Sequence, residues 1–331
     1  MSSPSEAPNL SPAVNKLSVA NTSTGKTAIE FRVALGFLII VALIPAVVRN
    51  DYWLGVFIVS MYFAMLAGAW NLLAGYAGQF SLAPATFAMI GAYATGLLGT
   101  TFGVPPLLGI VAAVVVAGLT GLLLGRIVLR LKGPYLALTT LSFAEIMRLV
   151  ASNSIDITRG DLGLAVPALL SNRIGWYYIF LGVLAVLLVA FYALLRSKAG
   201  LFLQAIRDDE VAAARSGVDV VFWKTAAFAM SAAASGFAGA LYAHFAELVT
   251  PELGLIGQTG LIVSMAVIGG MGTLAGPLIA AFLVYVLSEW LRDVGGYQLV
   301  VFSALVVIFA RFFRDGLWGL ARGAVQRWRR S

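Results

Sequence analysis

Cysteine is absent from this chain of 331 residues, and charged residues are scarce. Without cysteine the chain can form no disulfide, no thiolate metal site and no thiol nucleophile. Charged residues make up 11% of the sequence and hydrophobic residues 60%, whereas roughly a quarter of the residues of an ordinary soluble domain are charged. A water-exposed globule of this size would have too little polar surface, so the composition predicts a protein embedded in lipid.

The alternating ten-residue strands of a membrane β-barrel are also lacking. The sequence has instead many apolar stretches close to the ~20 residues that cross a bilayer as a helix. They predict an all-α polytopic membrane protein with about ten transmembrane helices. The predicted spans are 33–48, 52–74, 80–100, 105–125, 133–150, 174–195, 224–246, 258–270, 276–292 and 297–313. The fifth and eighth are short for a full crossing, and either could be a broken or partly re-entrant helix.

Lysine and arginine in the predicted connections orient this bundle. Most of the 22 basic residues lie on one side of the membrane if the amino terminus is cytoplasmic, and cytoplasmic loops are the ones that retain positive charge. An even number of spans returns the carboxyl terminus to the same side. We therefore predict a disordered cytoplasmic tail over 1–30, a transmembrane domain over 31–313 and a basic cytoplasmic tail over 314–331. The formal net charge of +7 follows from this topology and predicts no nucleic-acid partner.

Two glycine-rich segments separate paired apolar stretches, the first break at 75–79 and the second break at 269–276. Both breaks are predicted to lie on the cytoplasmic side. Close helix packing explains much of the remaining glycine and alanine, and we predict that the run 232–240 is such a packing face.

A polar loop over residues 196–224 interrupts the predicted bundle on the cytoplasmic side. Between residues 200 and 217 it has the pattern of one short amphipathic helix, in which Leu203, Ile206 and Val211 are apolar, and the glycine at its end is a stop signal. Such a helix docks against a partner protein, lies on the lipid headgroups or caps its own bundle.

Polar residues inside apolar spans are costly, which makes them candidates for a translocation path. Glu145 is the clearest example of a polar residue inside a span, and Arg148, three residues later, could form an ion pair with it. Glu145 is therefore either a pathway residue or one half of a structural pair near the outer interface. The candidates lie at the first break and on the fifth span, and they are Asn71, Gln79, Ser81, Thr139, Thr140, Ser142 and Glu145.

Several blocks of this sequence resemble the permease subunits of branched-chain amino acid ABC importers, specifically the LivM-like member of the permease pair. The resemblance extends over roughly residues 50–312. The blocks are GYAGQFSL at 75–82, AMIGAY at 88–93, LKGPYLALTTLSFAEI at 131–146, AIRDDEVAAARSGV at 205–218 and AVIGGMGTLAGP at 266–277.

The resemblance implies an ABC-importer permease fold in which the loop 196–223 carries the coupling helix, the segment that sits in a groove of the cytoplasmic ATPase. It also implies four kinds of partner: a second permease subunit that forms a heterodimer with this chain, two ATPase subunits, an extracytoplasmic solute-binding protein and the bilayer of a bacterial inner membrane. The implied ATPase-coupling residues are Gly200, Ala205, Ile206, Arg207, Asp208, Asp209, Glu210 and Gly217. The chain lacks a G-x-x-x-x-G-K-[ST] phosphate loop, so ATP and Mg²⁺ would be used by the partner subunits and no cofactor is expected on this chain.

The resemblance favours an importer of branched-chain or related small amino acids, although related permeases carry urea or short amides. An ion-coupled secondary transporter of a small solute is the alternative, but it would need buried carboxylates near the midplane and would leave the polar loop unexplained. A membrane enzyme would need a cluster of catalytic side chains, which the sequence lacks. The single histidine, His244, is not a metal site by itself.

Overall fold

The computed structural model describes residues 12–48, 50–128, 131, 133–292, 304, 307 and 316–319, with side chains from residue 27 onward. The described part is a bundle of α-helices with one short antiparallel β-ladder, β1 (Leu164–Ala165) with β2 (Leu248–Val249). The helices are α1 (Pro12–Val47), α2 (Asp51–Asn71), α3 (Pro84–Phe102), α4 (Pro106–Val128), α5 (Pro134–Asn153), α6 (Ile155–Thr158), α7 (Arg173–Arg196), α8 (Lys198–Asp208), α9 (Glu210–Arg215), α10 (Val220–Ala246), α11 (Ile256–Gly269) and α12 (Ala275–Trp290). A π-helical turn (Leu72–Tyr76) extends α2, and short 3₁₀ turns lie at Gly160–Leu162 and Pro251–Gly254.

Several of these helices are long and apolar enough to cross a membrane, which makes the chain a multi-pass membrane protein. Among the described residues there are 6 such segments, and α11 and α12 are shorter apolar helices. The six are Thr27–Val47, Asp51–Tyr76, Pro106–Val128, Pro134–Asn153, Arg173–Arg196 and Val220–Ala246. Each of the first nine predicted spans coincides with a described helix to within a few residues, apart from an earlier start to the first. The tenth, 297–313, and the tail 314–331 lie largely outside the described residues, so the total of about ten spans and the cytoplasmic termini remain predictions.

Helix α1 begins well before the first predicted span. The structure starts it at Pro12, inside the segment predicted as a disordered tail. Proline is compatible with the first turn of a helix because the N–H that it lacks would have no partner there. No further proline follows until Pro45. The polar composition of residues 12–30 therefore does not prevent a helix, and the division of the chain into an amino-terminal tail and a transmembrane domain stays a prediction.

The two spans that looked short differ in the structure. Helix α5 has 20 residues and is a full-length candidate span. Helix α11 has 14 residues and ends at the second break, where Gly270 has φ 110°. Of these two predicted spans, the eighth alone stays short.

Close backbone contacts hold α10 against α3 and α4, its main neighbours. A Cβ atom on Gly91 of α3 would lie 2.5 Å from the Cα of Gly236 on α10, and one on Gly121 of α4 would lie 2.8 Å from the carbonyl oxygen of Phe228. Glycine at these positions lets the helix backbones approach directly, as is common in membrane bundles. The predicted packing role of the run 232–240 is confirmed.

Candidate functional site

The two glycine-rich breaks lie against each other, although they are far apart in sequence. Asn71 at the end of α2 joins them, because its Nδ2 donates to the carbonyl oxygen of Thr273 at 2.8 Å and its Oδ1 accepts from the N–H of Gly272 at 2.8 Å. A Cβ atom on Gly75 would lie 2.5 Å from the nitrogen of Gly272, so this approach requires glycine. The α2–α3 connection and the α11–α12 connection are thereby held together.

Arg207 of α8 reaches the same place from the polar loop over residues 196–224. Its Nη1 donates to the carbonyl oxygen of Gly75 at 2.8 Å. Gly78 and Gly272, which flank it, have φ values of +69° and +74° in the left-handed region that favours glycine. A Cβ atom on Gly78 would lie 3.0 Å from the Cγ of Arg207. We call this cluster the glycine junction, and its members are Asn71, Gly75, Gly78, Arg207, Gly272 and Thr273.

A buried carboxylate lies beside the glycine junction. Glu30 of α1 is only 5% exposed, and its Oε2 accepts from the N–H of Leu274 at 2.8 Å, one residue before α12 begins. Unpaired N–H groups at the start of a helix favour a carboxylate at this position. Sequence reasoning missed Glu30, although an acidic residue at the edge of an apolar span is a recognisable signal.

The loop contains two helices in place of the single amphipathic helix predicted, and that prediction is wrong. The break falls at Asp209, which has φ −155° and ψ 107°. Its Oδ1 accepts from the N–H groups of Val211 and Ala212 at 2.9 and 3.0 Å, so Asp209 is the N-cap of α9. Aspartate favours this capping geometry over a helix interior, and it separates α8 from α9.

Gly217 ends the second of these helices, as the sequence predicted. Its φ is +85°. The N–H of Gly217 bonds to the carbonyl oxygen of Ala214 at 3.0 Å, and that of Val218 to Ala213 at 3.2 Å. These two bonds form a Schellman motif, which terminates a helix at a left-handed glycine.

Opposite faces of the loop helices have different surroundings. Leu203 and Ile206 are 0% and 4% exposed, and Gly200 packs so tightly that a Cβ atom would lie 2.5 Å from the Cα of Leu195. Val211, the third apolar residue of the predicted stripe, is 55% exposed. The buried row therefore caps the chain's own bundle. The exposed row comprises Ala205, Asp208, Asp209, Val211, Ala212 and Arg215.

An ion pair ties the loop to the bundle. The Nζ of Lys224 on α10 lies 2.8 Å from the Oε2 of Glu210 on α9, and the Lys224 side chain is 3% exposed. Breaking a buried pair leaves an uncompensated charge, so this contact fixes α9 relative to α10. Glu210, one of the residues implied to contact the ATPase, is thus paired within the chain, and Lys224 had not been singled out.

The predicted pathway residues near the first break are part of the bundle's own bonding. Gln79, Ser81 and Thr140 are all buried. The N–H of Leu82 donates to Thr140 Oγ1 at 2.9 Å, and Trp70 Nε1 donates to the carbonyl oxygen of Ser81 at 2.7 Å. These bonds attach the connection after the first break to α5 and α2.

The remaining pathway candidates lie on one outward face of α5. Thr139 and Ser142 donate their hydroxyl hydrogens to carbonyl oxygens of the preceding turn, at 2.8 and 3.0 Å. Glu145 pairs with Arg148, whose Nε lies 3.0 Å from its Oε2, and the Glu145 side chain remains 47% exposed. The predicted pair exists, and it lies on a candidate membrane span with polar groups facing away from the bundle. Among the described residues no group of three or more His, Cys, Asp or Glu could hold a metal ion.

A multi-pass helical bundle whose polar loop is bonded to breaks between its helices has the architecture expected of a membrane transport subunit. The chain belongs to the family described as branched-chain amino acid transport system / permease component, whose sequence model matches residues 52–310. This family consists of transport permease components and not of enzymes.

Curated proteins that are similar to this chain are also transport permeases. The chain is 33% identical over 298 residues to the high-affinity branched-chain amino acid transport system permease protein LivM of Salmonella typhimurium LT2, covering 80% of this chain and 69% of the relative. It is 24% identical over 287 residues to the permease protein LivH of Escherichia coli K12, covering 76% and 91%. The ribose import permease protein RbsC of Haemophilus influenzae is 25% identical over 315 residues, covering 89% and 96%. No solved structure matches the chain significantly.

Proposed function

We propose that this chain forms half of the membrane pathway of an ATP-binding cassette importer for branched-chain or related small amino acids, and that its 196–223 loop couples the pathway to a cytoplasmic ATPase. Identity to LivM, at 33%, is higher than identity to the ribose permease, at 25%, which favours an amino acid over a sugar. The observation that carries the coupling role is the bond from Arg207 on the loop to Gly75 at the first break.

The glycine junction offers a physical route for this coupling. The exposed row of α8 and α9 docks against the ATPase, while the buried row keeps the loop attached to the bundle. When ATP binding moves α8, Arg207 moves the carbonyl of Gly75, and Asn71 passes the displacement to the second break. The ends of α2, α3, α11 and α12 meet there, so one loop movement reaches four helices.

The remaining partners follow from the same proposal. A second permease subunit completes the pathway, and similarity to both LivM and LivH favours two different subunits. ATP and Mg²⁺ bind to two ATPase subunits, because this chain has no phosphate loop. A solute-binding protein delivers the amino acid at the opposite face of a bacterial inner membrane.

The coupling role is tested by reversing the charge of Asp208, which is exposed on α8. We expect Asp208→Lys to reduce co-purification of the ATPase by about tenfold or more, since like or unpaired charges oppose docking. Asp219→Asn is the matched control, because Asp219 lies outside the exposed row and caps α10 by accepting from the N–H of Phe222, and asparagine caps a helix as well as aspartate does. In proteoliposomes holding the assembled complex, uptake of labelled leucine should fall with Asp208→Lys and remain with Asp219→Asn.

Two results would refute this proposal. Leucine uptake by the permease subunits that is indifferent to removal of ATP and of the ATPase would indicate a secondary transporter. Unchanged ATPase co-purification with Asp208→Lys would exclude the exposed row as the docking surface.

The outward face of α5 is proposed to line the translocation path. A span that directs Ser142 and the Glu145–Arg148 pair away from its own bundle would expose them to hydrocarbon, which is costly. Contact with water or with the second permease subunit removes this cost. The proposal covers Thr139, Ser142 and Glu145, whereas Asn71, Gln79, Ser81 and Thr140 are buried inside the bundle.

Single-cysteine labelling tests this face directly, because the chain has no cysteine of its own. We expect Ser142→Cys to react with a water-soluble thiol reagent about tenfold faster than Val115→Cys, since the thiolate forms only where water reaches it. Val115 lies on α4 and is 53% exposed, so it reports an apolar outward surface. Excess leucine should slow the reaction at Ser142→Cys. Equal rates at the two positions would place the α5 face in lipid.

A further inference from the structure

A cavity of about 450 Å³ opens at the end of the bundle opposite the glycine junction. It lies where α2 begins, between α7, the end of α10 and the end of α12. Its wall includes the charged side chains of Asp51, Arg173, Glu289 and Arg292. Two acidic and two basic groups make the formal charge of this wall zero, so it favours a ligand without net charge.

One acid and one base of the cavity neutralise each other. Arg292 Nη1 donates to Glu289 Oε1 at 2.8 Å, and the hydroxyl of Tyr52 donates to the same oxygen. This carboxylate is therefore already satisfied by groups of the protein.

The other acid and base have no such partners. Within the described part of the chain, Asp51 and Arg173 form no ion pair and no side-chain hydrogen bond, either with each other or with another residue. Arg173 is nevertheless held in place, since its guanidinium lies 5.6 Å from the ring centroid of Phe245. A Cβ atom on Gly55 would lie 3.1 Å from its Nη1, so the arginine rests against α2. The cavity thus presents one available cation and one available anion at separate places on its wall.

We propose that this cavity binds a zwitterion, a small group that carries an ammonium and a carboxylate or phosphate. Arg173 binds the anionic end, for which a guanidinium supplies paired N–H donors. Asp51 binds the ammonium. A volume near 450 Å³ is within the range of small-molecule sites. A free amino acid and a phosphatidylethanolamine headgroup share this chemistry, and the amino-acid source rests on the proposed import function.

Binding to the full chain in nanodiscs tests the cavity. In nanodiscs of phosphatidylglycerol, labelled leucine is measured against competitors that each lack one charge, namely 4-methylpentanoate and 3-methylbutylamine. In parallel, native mass spectrometry measures phosphatidylethanolamine that remains with the chain after extraction from mixed lipid. We expect leucine binding or phosphatidylethanolamine retention to fall about tenfold or more in Arg173→Gln, consistent with loss of a charge-assisted contact. Asp51→Asn should lose selectivity for the ammonium, and Arg126→Gln in the last turn of α4 is the control that should leave both measurements unchanged.

Each outcome decides the proposal. Leucine binding that neither competitor displaces identifies an amino-acid site, and phosphatidylethanolamine retention alone identifies a lipid site. Absence of both in wild type, or equal binding by Arg173→Gln and wild type, overturns the zwitterion site. ATP-driven uptake is recorded separately in proteoliposomes that hold the assembled complex, so that transport without cavity binding refutes the cavity and leaves the import function intact.

Discussion

Replacement of Arg207 by alanine is expected to stop ATP-driven uptake while the ATPase stays attached. The substitution removes the bond from Nη1 to the Gly75 carbonyl and the ion pair with Asp208, but every residue of the exposed row is retained. A hydrogen bond from a charged group contributes about 1.5–3 kcal/mol, so we expect leucine uptake to fall about tenfold or more. Uptake in proteoliposomes and ATPase co-purification are measured on the same preparation. Arg207→Lys keeps the positive charge but has fewer N–H donors, so its leucine uptake should lie between that of wild type and that of Arg207→Ala.

Lys198→Ala is the matched control for this result. Lys198 begins α8 in the same loop but lies outside the exposed row, and it forms no side-chain hydrogen bond or ion pair with any described residue. Its loss should leave uptake unchanged. If Arg207→Ala loses the ATPase together with uptake, Arg207 is a docking contact, as the family resemblance alone implies. If Arg207→Ala transports like wild type, the glycine junction transmits nothing from the loop.

A methyl group at Gly75 is expected to separate the two breaks. In Gly75→Ala the new Cβ would overlap Asn71 Oδ1 and lie 2.5 Å from the nitrogen of Gly272, the two atoms that bond to each other. Overpacking of this kind costs about 1–3 kcal/mol, and a lost buried hydrogen bond adds to it. We expect a lower melting temperature, measured by size-exclusion chromatography after heating, and leucine uptake reduced about tenfold or more.

Gly182→Ala provides the control for this substitution. Gly182 lies inside α7 with nothing within 4 Å of the added Cβ, so alanine should leave uptake unchanged and stabilise the helix slightly. Wild-type melting and uptake in Gly75→Ala would show that the two breaks do not need their close contact.

Hydropathy predicts the positions of the helices well because each crossing needs a long apolar run of its own. It predicts contacts between distant segments poorly. In the sequence, Asn71 is a single polar residue near the first break. Nothing in its local sequence indicates that its amide bonds to Gly272 and Thr273, which are 201 and 202 residues further along the chain. Polar composition indicates burial and not backbone conformation, so it gave no sign that α1 begins at Pro12.

A single sequence also does not show whether a charged loop residue contacts a partner protein or the chain's own bundle. Arg207, Asp209 and Glu210 all look like solvent-exposed contacts for a partner. In the structure Arg207 bonds to the first break, Asp209 caps α9, and Glu210 pairs with Lys224. Asp208 alone among the four charged residues at 207–210 has no bond beyond a neighbouring side chain. The sequence locates the loop correctly, but the division of its charges between the bundle and the partner requires the fold.

Backbone contact between α10 and its neighbours α3 and α4 makes this part of the bundle stiff. Side chains can absorb a displacement by changing rotamer, whereas backbones in van der Waals contact must move together. Helix α10 begins directly after the loop and is tied to it through Lys224 and Glu210. A force on the loop therefore acts on a closely packed three-helix block through Lys224 and on the glycine junction through Arg207. Because the backbones within the block are in direct contact, we expect the block to move as one body when the loop moves.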